Sequence, residues 1–157
     1  MKHNVFALKR PPRRTKTVAF ESSANPGVTF ELKLRALDAV DALNVAGQAE
    51  EMHRTYVVEG VPFFAVDGEP IEVGKELLTF ACTVWKMQVG EVRYTPEEVV
   101  AMLAVVPEAM PVLVDAVNEL NAEGPLGNLG TTARISTEVS SDPSSDSPSD
   151  TPNSTAE

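Results

Sequence analysis

The sequence predicts an α+β fold, helix-dominated, with two short β-hairpins and about four helices between disordered ends. Three observations support this prediction. Apolar and polar residues alternate with period two around two turn signals, Asn25-Pro26-Gly27 and Asp67-Gly68. Elsewhere apolar residues recur every three or four positions, as on one face of a helix. The composition changes sharply near both ends, which leaves residues 17–122 as an acidic α+β domain large enough to bury a core.

The first predicted hairpin pairs residues 17–21 with residues 28–35. In the second of these strands Phe30, Leu32 and Leu34 share one face, and charged residues alternate with them. The Pro-Gly pair between the two segments is a turn signal, so we expect antiparallel neighbours.

Asp38 is suited to cap the first helix, because a carboxylate accepts hydrogen bonds from the free backbone N–H groups at a helix start. We expect this helix to end near Val57. Its predicted apolar face consists of Val40, Leu43, Ala46, Ala49, Met52 and Tyr56.

A second hairpin is predicted from residues 62–66 and 69–73, because both central residues of a type I′ turn need positive φ and Asp-Gly suits this requirement. Pro70 cannot donate to a ladder, so the return strand should be an edge. Phe63 and Phe64 are consecutive, so one should be core and the other an exposed contact. Together with Ile71 they are the predicted partner-binding residues. Such an edge either docks a partner or is covered by neighbouring helices.

Residues 74–89 are apolar around most of a helical circumference, which predicts a central buried helix. The only cysteine, Cys82, lies within it, and we expect a buried structural thiol.

Two further helices follow. Thr95 and Glu98 have the spacing of a capping box, and Pro96 stands at the first helical position. The last helix is predicted to begin at about residues 108–111 and to be terminated by Gly124.

Charge divides the chain into a basic arm, an acidic domain and a polar tail. Residues 1–16 hold six Lys/Arg and no acid, although the whole chain has a net charge of −10. Because prolines favour extended backbone, we expect this arm to be extended, solvated and flexible. It could neutralise the phosphates of nucleic acid, pair with an acidic protein, or pair with the chain's own acidic body. The candidate contact residues of the arm are Lys9, Arg10, Arg13, Arg14 and Lys16.

Residues 123–157 form the predicted disordered tail. From Thr131 onward this segment holds thirteen Ser/Thr and three Pro. With so few apolar side chains it cannot offset its conformational entropy by burial.

No residue pattern predicts catalysis or a cofactor. Gly124, Gly127 and Gly130 are spaced as in a phosphate loop but follow a helix rather than a strand. Glu50 and His53 have the spacing of a metal-binding pair, but a second Glu-x-x-His is missing. We therefore expect a non-enzymatic protein with no catalytic, cofactor-binding or metal-binding residues. No apolar run fits a signal peptide or a membrane span, which predicts a cytoplasmic location and no membrane partner.

Residues 28–38 (VTFELKLRALD) lead into an acidic, Ala-rich helix, and this segment resembles the opening of tail assembly chaperones from long-tailed bacteriophages. The resemblance extends in general plan over residues 28–122. It implies a small acidic protein of the host cytoplasm that binds the tape measure protein and recruits tail tube subunits. It also implies a C-terminus that a frameshift can extend in many phages. The family pattern does not demand a basic arm, and no functional residue can be transferred individually.

Two other functions are compatible with the charge pattern. The chain could be a structural virion component whose arm orders against an acidic neighbour or packaged DNA. It could also be a small regulator that binds nucleic acid through residues 1–16. Homo-oligomer formation is open under each of these hypotheses.

Overall fold

A computed structural model describes residues 1–122 and shows the predicted helix-dominated α+β fold. Within these residues, two two-stranded antiparallel sheets accompany four α-helices. The predicted tail, with its glycine spacing and the terminator Gly124, lies outside the described residues. In chain order the elements are β1 (Thr15–Glu21), β2 (Thr29–Arg35), α1 (Ala39–His53), β3 (Ala65–Val66), β4 (Glu69–Pro70), α2 (Lys75–Met87), α3 (Pro96–Val105) and α4 (Ala109–Asn121).

The first hairpin confirms the predicted pairing and turn. The register runs from Thr15 opposite Arg35 to Glu21 opposite Thr29. Gly27 has a φ of +87°, in the left-handed region that glycine tolerates best. β1 begins at Thr15 rather than at residue 17, so the end of the predicted basic arm belongs to the sheet.

The first hairpin contributes one face to the core. Phe20 and Leu32 are buried, and Leu34 is fully buried at 0 % exposure. The rings of Phe20 and Phe30 stack with centroids 5.6 Å apart. The alternation therefore predicted the buried face of β2 correctly.

α1 has the predicted N-cap but buries a different face from the predicted one. The Asp38 carboxylate accepts from the Asp41 N–H at 2.8 Å, and Asp41 accepts from the Asp38 N–H at 3.3 Å. Val40 and Leu43, assigned to the core face, are 65 % and 74 % exposed. The predicted and the observed buried faces share Ala49 and Met52, so the sequence pattern did not distinguish them. In the structure Asp41 points inward and binds Arg13, and the prediction of the buried face was therefore wrong. The buried residues of α1 are Asp41, Val45, Ala49 and Met52.

The second hairpin is shorter than predicted. Asp67 and Gly68 have φ values of +55° and +82°, which confirms the type I′ turn. Only Ala65–Val66 and Glu69–Pro70 pair as strands. The proposed strands over residues 62–66 and 69–73 are therefore mostly irregular, because this hairpin has no broad sheet to extend it.

α2 is the central helix, as predicted, and packs against α1, α3, α4 and β2. Leu78, Cys82 and Met87 each have 0 % exposure. Beyond its end, the buried Gln88 side chain accepts from the Tyr94 N–H at 2.8 Å and donates to the Tyr94 carbonyl at 2.9 Å. This reciprocal pair fixes the loop between α2 and α3.

The predicted capping box of α3 is confirmed. Glu98 N–H donates to the Thr95 hydroxyl at 3.1 Å, and Thr95 N–H donates to the Glu98 carboxylate at 2.9 Å. α4 ends at Asn121, whose buried amide accepts from the Leu37 N–H at 3.1 Å and donates to the Val117 carbonyl at 3.0 Å. This side chain joins the end of α4 to the connection between β2 and α1.

Candidate partner-binding surface

The chain leaves α1 through one π-helical turn, Arg54–Val58. The Glu59 N–H donates to the Arg54 carbonyl at 2.8 Å, which spans one residue more than an α-helical bond. Gly60 then adopts a φ of +76° and reverses the chain. Single π-turns at the end of a helix frequently mark functional sites, because they redirect side chains away from the helical face.

Four large apolar side chains are exposed in this segment. Val57 and Val61 are each 43 % exposed, Val58 is 68 % exposed and Phe64 is 56 % exposed. We call these four residues the Val–Phe surface. Single exposed apolar residues are ordinary, whereas large contiguous apolar patches mark binding sites, and these four residues lie within eight positions of one another in the sequence. The three valines were not among the contact residues predicted from the sequence. The sequence feature that could have revealed them is the run Tyr56-Val57-Val58, because three consecutive apolar residues cannot all lie on one buried face of a helix.

Aromatic packing beneath this surface holds Phe64 in place. The Phe63 ring is half-buried and lies edge-on to Tyr56, with centroids 4.8 Å apart, and 5.2 Å from the Phe64 ring. The Tyr56 hydroxyl donates to Glu97 on α3 at 3.2 Å. Burial, followed by the nearby Glu97 charge, raises the pKa of Tyr56. The sequence predicted one core and one exposed phenylalanine; Phe64 is 56 % exposed, whereas Phe63 is half-buried rather than fully buried, and neither residue lies in a strand.

Ile71, the third predicted contact residue, adjoins the surface through its backbone. Its N–H donates to the Phe64 carbonyl at 3.2 Å. The Ile71 side chain is half-buried and lines an open cleft of about 730 Å³ beside the second hairpin. The cleft lies between that hairpin, the turn of the first hairpin and the end of α3. Its lining residues are Ala24, Asn25, Val66, Asp67, Glu69, Pro70, Ile71, Ala104 and Val105.

The edge of the second hairpin offers little backbone for an added strand. Two residue pairs form the whole ladder, and Pro70 within it lacks an N–H. The β3 strand also packs against α3. A partner at this site would therefore be held by side chains rather than by strand addition.

The end of the predicted basic arm is bound to the domain by ion pairs. Arg13 contacts Asp41 at 2.5 Å and Asp38 at 3.4 Å, and Lys16 contacts Glu119 at 2.5 Å. The hydrogen bond from the Asp41 N–H, followed by the Arg13 charge, lowers the pKa of Asp38. The hydrogen bond from Lys16 lowers the pKa of Glu119. These contacts match the predicted alternative that the arm pairs with the chain's own acidic body, and they shorten the predicted flexible arm, because its last four residues are part of the domain.

The remaining arm residues have different environments. The Arg14 carbonyl accepts from the Ala36 N–H at 2.9 Å, which continues the pairing of the first hairpin. Lys9 and Arg10 are exposed. A short 3₁₀ turn, Val5–Ala7, lies ahead of them. Of the five candidate arm residues, Lys9 and Arg10 therefore present side chains well suited to an external partner.

The other titratable candidates have structural surroundings. Cys82 is fully buried, and burial raises the pKa of its thiol to about 12, so the predicted structural thiol is confirmed. Glu50 contacts Lys75 at 3.3 Å. Over residues 1–122, no group of three or more His, Cys, Asp or Glu is arranged to hold a metal ion.

Comparisons with protein-family models, with curated proteins and with solved structures found no match to this chain. Among the helices of residues 1–122, none has the length and apolar character needed to cross a membrane.

Proposed function

We propose that this protein is a non-enzymatic assembly chaperone of the phage tail, which acts in the host cytoplasm. Its partner is an apolar helical segment of the tape measure protein, and it recruits tail tube subunits to that segment. The observation that supports this proposal most strongly is the Val–Phe surface, where four large apolar side chains face solvent. The identity of this partner is inferred from the resemblance of residues 28–38 to tail assembly chaperones.

The charges around the Val–Phe surface suit a chaperone that must stay soluble. Glu51 and Glu59 flank the π-turn, and both contact the exposed Arg54. A net charge of −10 over the chain gives mutual repulsion between copies, so the apolar surface can remain exposed without aggregation. A partner helix can then bury its apolar face against Phe64 and the valines while its polar face stays hydrated.

Co-expression with the tape measure protein tests this proposal. We expect the wild-type chain to keep the tape measure protein soluble and to co-purify with it. Phe64→Asp should weaken the complex at least about tenfold, because a central aromatic anchor commonly contributes more than ~1.4 kcal/mol. Val92→Asp is the matched control, since Val92 is 77 % exposed in the loop between α2 and α3. If no soluble complex forms, or if both variants bind equally, the proposal is wrong.

A structural role in the virion is the second candidate, and the exposure of the arm favours it. Phe6 is 95 % exposed, and Lys9 and Arg10 are also exposed, so these side chains are accessible to a binding partner. An acidic neighbour or DNA in the particle would suit these cations. Mass spectrometry of purified particles tests this role, which requires the chain in stoichiometric amount.

A further inference from the structure

The outer face of α1 is an apolar surface distinct from the Val–Phe surface. Val40 and Leu43 are 65 % and 74 % exposed, on the side of the helix opposite Val45 and Ala49. A Cβ added at Gly47 would meet nothing within 4 Å. The N-terminal half of this face is therefore apolar and has room for a closely packed helix.

The arm begins at the N-terminal end of the same helix. Arg13 is anchored there by Asp41 at 2.5 Å and Asp38 at 3.4 Å. Val5, Phe6 and Leu8 before it are 63 %, 95 % and 66 % exposed, so these three side chains are not packed into the core of their own domain. The chain thus presents an apolar helical face beside an arm that is both basic and apolar.

We propose that the outer faces of α1 from two copies of this chain pair antiparallel, and that each arm contacts the C-terminal end of the partner's α1. This inference goes beyond the proposed function, uses a different surface and does not depend on it. The partner is a second copy because the chain itself carries both halves of a complementary pair. The first half is the arm, with Lys9 and Arg10, and the second half is the acidic end of α1, with Glu50 and Glu51.

Charge selects the antiparallel arrangement. Glu50 and Glu51 lie toward the C-terminal end of α1, and each is 66 % exposed. In a parallel pair the two basic arms would lie side by side and repel. In an antiparallel pair centred on Leu43, the small Gly47 faces the start of the partner's helix. The partner's Glu50 and Glu51 then lie near the point where the arm leaves the domain.

The arm is long enough for this contact. From Arg13 to Lys9 an extended chain spans about 13 Å, which exceeds the ~5 Å of helix between Glu50 and the C-terminal end of α1. Lys9 and Arg10 therefore reach the partner's Glu50 and Glu51, and the residues before them continue past the C-terminal end of the partner's α1. The present partners of Glu50 and Glu51 are the exposed Lys75 and Arg54, and such surface pairs contribute little and exchange readily.

The surface area that a stable dimer must bury explains why the arm is needed in the interface. A stable interface buries roughly 800 Å² on each partner, which Val40 and Leu43 cannot supply alone. The arm adds Val5, Leu8 and Phe6, and an aromatic side chain alone buries ~150–250 Å². The dimer should therefore weaken when either the helical face or the arm is changed.

Sedimentation velocity over a range of concentrations tests the pairing with the full chain. We expect a dimer, and we expect Leu43→Glu to raise its dissociation constant at least about tenfold. Val92→Glu, at an equally exposed apolar position of the loop after α2, should leave the dimer unchanged. A wild-type chain that stays monomeric at ~100 μM, or a dimer that tolerates Leu43→Glu, overturns the proposal.

Gly47→Gln separates loss of the dimer from loss of the fold. Glutamine favours the helix by up to ~1 kcal/mol over glycine, and its Cβ has free space in the monomer. The variant should therefore be as stable as wild type, or more so, yet dimerise less because the helices cannot approach. Unchanged dimerisation contradicts close packing at this position.

Cross-linking locates the two-fold axis. Cys82 is buried, so a thiol introduced by Leu43→Cys is the only accessible one in the described part of the chain. A short thiol-specific cross-linker should join two copies of this variant, and it should join few copies of Val92→Cys. Equal cross-linking of both variants, or none of Leu43→Cys, rejects the axis at Leu43.

Charge reversal tests the arm. Arg10→Glu should weaken the dimer, and the combination with Glu50→Lys and Glu51→Lys should restore it. The dissociation constant of the dimer should depend less on salt concentration in Arg10→Glu than in wild type, and the combined variant should regain the wild-type salt dependence. If Arg10→Glu has no effect, or if the combination fails to restore the dimer, the arm does not bind the partner's α1.

Discussion

Replacement of Arg13 by methionine should destabilise the domain by about 2–3 kcal/mol. The Arg13 and Asp41 side chains are only 15 % and 10 % exposed, and their charged atoms lie 2.5 Å apart. Removal of one partner from a fully buried ion pair costs ~3–5 kcal/mol, and partial exposure here reduces that figure. The remaining cost arises because the Asp41 carboxylate stays in a buried position without its cation.

Urea denaturation measures this loss. With a slope of about 1.5 kcal/mol/M, the midpoint should fall by ~1.3–2 M in Arg13→Met. Arg10→Met is the matched control, since Arg10 is exposed and its replacement should change stability by less than ~0.5 kcal/mol. A double-mutant cycle with Asp41→Asn should give a coupling energy above ~1 kcal/mol. Equal midpoints for the two methionine variants would show that the Arg13–Asp41 ion pair does not stabilise the domain.

Three further predictions concern single side chains. Asn121→Ala should cost about 1–3 kcal/mol in urea denaturation, because it leaves a buried backbone N–H unpaired, whereas Asp115→Ala on the exposed side of α4 should be near neutral. The hydrogen bond from the Asp41 N–H lowers the pKa of Asp38 in the folded chain. The ionised Asp38 carboxylate therefore stabilises the fold fully above its usual pKa of 3.8, and this stabilisation is lost as the pH falls through the lower pKa of the folded state. Stability curves from pH 7 to pH 2 should therefore fall less steeply in Asp38→Asn than in wild type, and equal slopes would contradict this assignment. The Cys82 thiol, with a pKa of about 12, should not react with a thiol reagent at pH 8 until urea unfolds the chain, and fast reaction of the native protein would show that the thiol is accessible.

Local signals in the sequence predicted the elements that depend on neighbouring residues. The turn at Asn25-Pro26-Gly27, the Asp67-Gly68 turn and the capping box of Thr95 and Glu98 each depend on backbone preferences within four residues. The central position of α2 followed from apolar residues on most of its circumference. In each case the deciding interaction lies within the segment itself.

Contacts between residues far apart in the sequence determine the features of the fold that local patterns did not predict. Arg13 and Asp41 are 28 positions apart, and their ion pair turns α1 so that Leu43 faces solvent. Lys16 meets Glu119 across 103 positions and fixes the end of the arm to α4. A periodic pattern cannot rank two apolar faces of similar strength, because a single partner from elsewhere in the chain selects between them.

The candidate surface was predicted in part. Phe63 and Phe64 were identified because consecutive residues of an extended segment must face opposite sides. The valines at positions 57, 58 and 61 were missed, because the π-turn that exposes them has no reliable sequence signature. Their exposure is the feature on which the proposed function depends.

Mass spectrometry of infected-cell lysate and of purified phage particles tests that function most directly. A tail assembly chaperone should be found in the lysate in complex with the tape measure protein, and it should be missing from the particles. The Phe64→Asp variant should be present in the lysate without the tape measure protein. Recovery of the chain from mature particles, or from lysate with no tape measure protein bound to the wild type, would contradict the account.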